Sequence, residues 1–101
     1  MSIGYKVDED RHYQIDEAVA PYVLEAFERY DNGEKIVNIV GWLNDCGVQT
    51  YRLKPVGFNS VGRMLKSRTY IGEYRYDTHV VPGGVPAIVP VELFDRAQVR
   101  L

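Results

Sequence analysis

The chain has 101 residues, 46% hydrophobic and 26% charged, enough to enclose one modest core and too few for several domains. A formal net charge of −2 excludes a uniform polycation, and the single cysteine, Cys46, excludes an internal disulfide and leaves no cysteine pair for a zinc site. The opening residues lack a basic-then-apolar leader and no apolar run approaches the ~18 residues of a membrane helix, so a reducing, cytoplasmic setting without membrane partners is expected.

Charge is divided along the chain. Residues 1–48 carry four basic and ten acidic side chains, net −6, whereas residues 49–101 carry eight basic and four acidic ones, net +4. Six of the basic residues, Arg52, Lys54, Arg63, Lys66, Arg68 and Arg75, fall within residues 52–75 against Glu73 alone. Such a local excess attracts phosphates, although a solvated surface has the same composition.

Tyr5-Lys6-Val7 and Tyr13-Gln14-Ile15 alternate on either side of a polar run, which predicts a small hairpin or an extended arm. Asp16 is placed to cap a helix over 16–31, in which Val19, Tyr22, Val23, Ala26, Phe27 and Tyr30 form an apolar stripe ended by Asn32-Gly33. Pro21 fits that span poorly because it has no amide donor, so the start is either delayed or distorted. A second helix over 35–46 puts Ile36, Ile39, Val40, Leu43 and Cys46 on one side, with Trp42 at its edge and Gly47 as the stop. Gly41 costs that helix about 1 kcal/mol relative to alanine, a penalty expected to be covered by packing.

Residues 48–58 read as an ordered connection. Asn59 and Ser60 are candidate caps of a third helix, 59–67, with Val61, Met64 and Leu65 inward, Ser60, Arg63 and Ser67 on the polar side and Lys66 at its flank. Residues 70–76 read as a strand that sends Tyr70, Gly72, Tyr74 and Tyr76 to one face. After a loop over 77–87, Ala87-Ile88-Val89 is the expected pairing segment, and Pro90 opens a last helix with Leu93, Phe94, Ala97 and Leu101 on its apolar side. The predicted fold class is α+β, a single small and mainly helical domain over 1–101 with a short β-hairpin or strand pair.

Catalytic chemistry is not evident. Asp8, Glu9 and Asp10 are consecutive and solvated, His12 and His79 are far apart, and Cys46 lies on an inward helix face without a base beside it. Gly83-Gly84 lacks the lysine and hydroxyl of a phosphate-binding loop, and packing accounts for most of the eight tyrosines. No cofactor or metal is expected. Nucleic-acid binding is the function with the clearest set of suitable residues; a structural or protein-interaction domain with charge-dependent, sequence-independent binding is the alternative.

The order of local motifs resembles the recombinase domain of large serine recombinases. Gly4-Tyr5-Lys6-Val7 and Ile15-Asp16 resemble its opening, and Val23 through Gly33 its first helix. Ile36 through Gly47, with Leu43-Asn44 and Gly47-Val48, resembles the leucine-asparagine-x-x-glycine-hydrophobic ending of the next. Asn59-Ser60-Val61 and Met64-Leu65-Lys66-Ser67, leading into Tyr70-Ile71-Gly72, resemble the third helix, and Pro86 through Val89 with Glu92 through Gln98 the closing strand and helix.

The resemblance implies a DNA-binding module with a helix-turn-helix-like core, recognising double-stranded DNA at a recombination site. It also implies a bacterial, DNA-associated protein of longer chain, oligomeric on DNA, whose catalytic and zinc-containing domains lie outside these 101 residues and whose strand exchange is done by the catalytic domain. In that setting helix 35–46 supports helix 59–67. Asn59, Ser60, Arg63 and Ser67 become candidates for base edges or nearby phosphates, with Arg63 foremost, and Arg52, Lys54, Lys66, Arg68 and Arg75 candidates for backbone contact. The acidic first helix is expected to face away from DNA.

Overall fold

The computed structural model describes residues 2–10, 12–50, 52–76, 79–81 and 83–101, with 75–76 and 79–81 described by their backbone alone. Alternating residues bring Tyr5–Val7 (β1) and Tyr13–Ile15 (β2) into an antiparallel pair, Tyr5 opposite Ile15 and Val7 opposite Tyr13. Asp8 organises the turn between them: its carboxylate accepts the amides of Asp10 and His12, each at 2.9 Å. Those bonds, the His12 amide foremost, hold its pKa below the ordinary carboxylate value.

Helix α1 spans Ala20–Asp31 rather than 16–31. Proline has no N–H to lose in a first turn, so Pro21 sets the start and Asp16 cannot be the cap. Asp16 builds the preceding turn instead: its carbonyl accepts the amides of Val19 (3.0 Å) and Ala20 (2.8 Å), and its carboxylate that of Ala18 (3.1 Å).

Helix α2 spans Ile36–Asp45, within one residue of its predicted limits. Gly47, at φ +80°, closes it with a Schellman turn in which the Gly47 amide bonds to the Asn44 carbonyl and the Val48 amide to the Leu43 carbonyl, both at 3.0 Å. Gly41 is not covered by packing, because a Cβ there would meet nothing within 4 Å. Helix α3 spans Phe58–Lys66, and Gly57 occupies its N-cap. Asn59 and Ser60 therefore sit inside the first turn rather than capping it; the Gly57 carbonyl already accepts the Val61 amide at 3.1 Å.

The predicted strand 70–76 divides in two. Arg68–Ile71 forms a 3₁₀ turn, and only Tyr74–Tyr76 (β3) is extended, paired antiparallel with His79–Val81 (β4). Tyr70 explains the break, because its side chain is drawn fully into the core. Its carbonyl accepts the amides of Ile88 (3.0 Å) and Val89 (2.9 Å), so residues 87–89 cover the 3₁₀ turn instead of pairing as a strand. The loop predicted over 77–87 contains β4 and lies partly outside the described residues. Helix α4, Val91–Arg100, follows Pro90 as predicted.

The helices enclose a core centred on Phe27, Ile39, Leu43, Leu65, Tyr70 and Phe94, with the Phe27 ring 5.8 Å from Tyr70 and 6.1 Å from Phe94. Cys46 is half-buried and packs against this core from the end of α2. The β1–β2 hairpin joins through close contact: a Cβ on Gly4 (φ +93°) would approach Val23 Cγ2 to 3.0 Å and Ile88 Cδ1 to 3.1 Å. The architecture is α+β, with two small antiparallel pairs attached to a helical body. Among the described residues no helix is long and apolar enough to cross a membrane.

Candidate nucleic-acid interface

The position of α3 follows from two side chains on neighbouring helices. Asn44, at the end of α2, donates from Nδ2 to the Val56 carbonyl and accepts the Val56 amide at Oδ1, both at 3.0 Å. This double bond of side chain to backbone fixes the chain two residues before α3 begins. At the other end, Gln98 of α4 donates to the Leu65 carbonyl at 2.6 Å, satisfying a carbonyl that the last turn of α3 leaves without an intrahelical partner. Val61, Met64 and Leu65 are buried below, so helical geometry puts Asn59, Arg63 and Lys66 on the opposite, exposed stripe at spacings of four and three.

Between α2 and α3 the connection folds into a tight loop. Gln49 and Pro55 form an antiparallel bridge, the Thr50 amide bonds to the Lys54 carbonyl at 2.8 Å, and the Leu53 amide to the Thr50 carbonyl at 2.9 Å. This loop presents Arg52 and Lys54 beside α3. The result is an open cleft of about 1090 Å³ whose lining includes Arg52, Lys54, Ser60, Arg63 and Ser67, with Tyr13 and Tyr70 on its inner side. Among the described residues no carboxylate lines it.

Five of the nine residues singled out from sequence thus meet at one cleft. Asn59 and Lys66 lie outside its lining, on the exposed stripe of α3. Arg68 is engaged elsewhere. Its guanidinium makes two hydrogen bonds to Glu73, at 2.7 and 2.8 Å, and lies 5.7 Å from the centre of the Phe94 ring. These bonds raise its pKa further, so it stays charged but is matched by a carboxylate. Arg75 belongs to β3 by its backbone, and its side chain lies outside what is described.

Ion pairing separates the basic residues into two groups. Arg29 pairs with Glu25 (2.7 Å) and Glu34 (3.3 Å) and stacks over Trp42 at 4.2 Å; Arg96 pairs with Asp31 at 3.1 Å. Among the described residues no carboxylate pairs with Arg52, Lys54, Arg63 or Lys66, all exposed. Lys6, Lys35 and Arg100 also lack such partners there, but they stand on separate elements.

Tyr70 lines the cleft, and Tyr5 packs behind it with its ring 5.6 Å from that of Tyr70. The Tyr70 hydroxyl donates to the Ile3 carbonyl at 2.7 Å, and burial pushes its pKa well above the ordinary phenol value. The Tyr5 hydroxyl is shared between the carbonyls of Pro86 (2.7 Å) and Thr69 (3.1 Å), and burial pushes its pKa up to about 12. Neither phenol therefore titrates near neutral pH; both act as struts joining the N-terminal hairpin to the segment after α3. Asn44 and Gln98 fall within the segments that carry the family resemblance, but their positioning roles are not legible there, because each acts on backbone that only the folded chain brings near.

Asp8, Asp10 and His12 bring ligand-type atoms within 4.8 Å of one another in the β1–β2 turn. The Asp8 carboxylate is already occupied there by two amides and by the Gln14 side chain at 3.0 Å. The trio is accounted for as turn chemistry.

Comparison with known proteins places this geometry in a family. The Recombinase family model matches residues 17–101, and the chain belongs to that family. Two solved structures share the fold. One, a crystal structure of an LSR–DNA complex, is 22% identical with a TM-score of 0.78, and the match covers 97% of this chain and 30% of that one. The other, from work on the sequence requirements of the Listeria innocua prophage attP site, is 23% identical with a TM-score of 0.76, covering 96% of this chain and 40% of that one. The chain therefore spans well under half the length of either. No curated protein sequence gives a significant match.

Proposed function

We propose that this chain is a DNA-binding module of a site-specific serine recombinase, recognising double-stranded DNA at a recombination site. One observation carries the reading: among the described residues, three cations without ion-pair partners, Arg52, Lys54 and Arg63, converge on a cleft that no carboxylate lines. Phosphates reward that arrangement, and the exposed stripe of α3 has the width and the donors to enter a major groove. Arg63 is the base-reading residue, its forked donors matching the two acceptors of guanine; Arg52, Lys54 and Lys66 hold the backbone. Membership of the Recombinase family and the likeness to an LSR–DNA complex support the same conclusion. In the longer bacterial, cytoplasmic protein, strand cleavage and rejoining belong to a catalytic domain, a zinc-containing domain adds DNA contacts, and the assembly is oligomeric on DNA.

The test uses duplexes enriched by the chain itself from a randomised pool, compared with scrambled duplexes. Arg63→Ala is expected to erase most of the preference, a change of about 1–3 kcal/mol, whereas Lys66→Ala weakens both duplexes alike. If neither substitution alters binding, or no sequence is ever preferred, site recognition by α3 is wrong and a charge-driven interaction domain remains.

A further inference from the structure

Leu53 occupies the tip of the loop beside α3, flanked by Arg52 and Lys54. It is 75% exposed, and its φ of +59° makes it the one non-glycine residue with positive φ among the described residues. Single exposed leucines are common and need no explanation. This one combines exposure with a left-handed backbone that leucine rarely adopts, since its Cβ crowds the following carbonyl and no polar group compensates. Asparagine or glycine would serve the turn better.

The loop is held in this form from several sides. The Lys54 amide bonds to Thr50 Oγ1 at 3.3 Å, the Thr50 amide to the Lys54 carbonyl at 2.8 Å, and Asn44 anchors Val56 just beyond. Strain that surrounding structure maintains, at a residue whose side chain packs little within its own chain, points outward to a ligand. The flanking cations state what kind. Both line the cleft, in which no described residue places a carboxylate, while Leu53 between them stands outside that lining; a phosphate backbone lies within the cations' reach, and they carry no sequence information there.

We infer that Leu53 is a specificity-determining residue, which meets the C5 methyl of a thymine at the edge of the groove occupied by α3. The inference rests on the DNA-binding reading above. An apolar side chain distinguishes thymine from cytosine by contact with that methyl. Arg52 and Lys54 on neighbouring phosphates would hold the loop tip at the base edges, where the leucine leaves water.

The experiment replaces each thymine of an enriched duplex in turn by deoxyuridine, which deletes only the methyl, and measures binding of the chain and of its Leu53→Ala and Leu53→Asn variants. At one or two positions the unaltered chain is expected to lose about three- to fivefold in affinity, the worth of one buried methyl group. Both variants are expected to be indifferent to the same replacement. Leu53→Asn suits the left-handed backbone and should melt no lower than the parent, so a folding defect cannot produce that indifference. The inference is overturned if every deoxyuridine affects parent and variants equally. Should that happen while Arg63→Ala still erases sequence preference, the DNA-binding reading survives without Leu53. Should the parent enrich no sequence at all, both fall.

Discussion

Among the described residues, Arg52, Lys54 and Arg63 stand around the cleft beside α3 without carboxylates in the lining, whereas the groove between α1 and α4 holds Glu28, Asp31 and Glu92 around a single cation, Arg96. In the groove that cation is tied to Asp31 at 3.1 Å, and nearby on α1 Arg29 is clamped by Glu25 and Glu34. One region matches its cations with carboxylates; at the other, among the described residues, the cations are left unmatched. A net charge of −2 averages the two and conceals both. What the contrast teaches is that pairing, more than the number of basic residues, marks the binding face: Arg68 lies in the basic stretch of sequence yet is matched by Glu73.

The buried phenols behind the cleft offer the harshest way to break this contrast. A phenol whose folded pKa is raised prefers the neutral form in the native state, so stability is intact below the unfolded value near 10 and falls as pH rises through about 12. Ionisation of Tyr5 alone therefore costs stability, by less than the ~3 kcal/mol of an unscreened shift at 1.36 kcal/mol per unit, because water reaches part of its surroundings. Urea midpoints measured from pH 8 to 12 should drop steeply above pH 10, and Tyr5→Phe should flatten the drop. An equal drop in that variant would show that Tyr5 is not a strut of the cleft.

Asn44 sharpens the contrast from the other direction, because it reaches the cleft without lining it. Asn44→Ala removes both bonds to Val56 and is expected to cost about 1–3 kcal/mol, read as a lower denaturation midpoint. Amide exchange should quicken over residues 49–57 and remain unchanged in α1 and α4. Uniform quickening would mean that Asn44 supports the whole body rather than the loop that carries Arg52 and Lys54.

Gly41 gives the smallest effect. A methyl group there meets nothing within 4 Å, so Gly41→Ala should stabilise α2 by about 1 kcal/mol, raising the melting temperature by roughly 4–8 °C. DNA affinity should not change, since the residue is on α2, away from the cleft lining. Weaker binding would extend the interface onto α2.

How far the sequence foretold this arrangement differs between elements. Helices α2, α3 and α4 were legible because Ile39 and Leu43, Val61 and Leu65, and Leu93 and Ala97 recur at helical spacing and are all buried. The start of α1 was legible in part: Asp16 has the chemistry of a cap, but Pro21 already pointed to the delayed start at Ala20. Tyr70 has strand propensity, but a tertiary demand prevails: its ring fills the core and its carbonyl serves two amides of the segment before α4. The site was legible as residue types. Arg63 and Lys66 could be placed on one helix, while the approach of Arg52 and Lys54 depended on Asn44, twelve residues from its partner, and the left-handed tip at Leu53 had no glycine or asparagine to announce it.

The most direct test of the division into an unmatched cationic face and an acidic one is the salt dependence of DNA binding. Log affinity is measured against log salt for the chain, for Arg52→Gln, Lys54→Gln and Lys66→Gln, and for Glu28→Gln and Glu92→Gln as controls in the groove. Each of the three cationic substitutions is predicted to reduce the slope by about 0.9, the loss of one phosphate contact, and the two controls to leave it unaltered. Slopes indifferent to the cationic substitutions, or moved as much by those in the groove, would contradict the account.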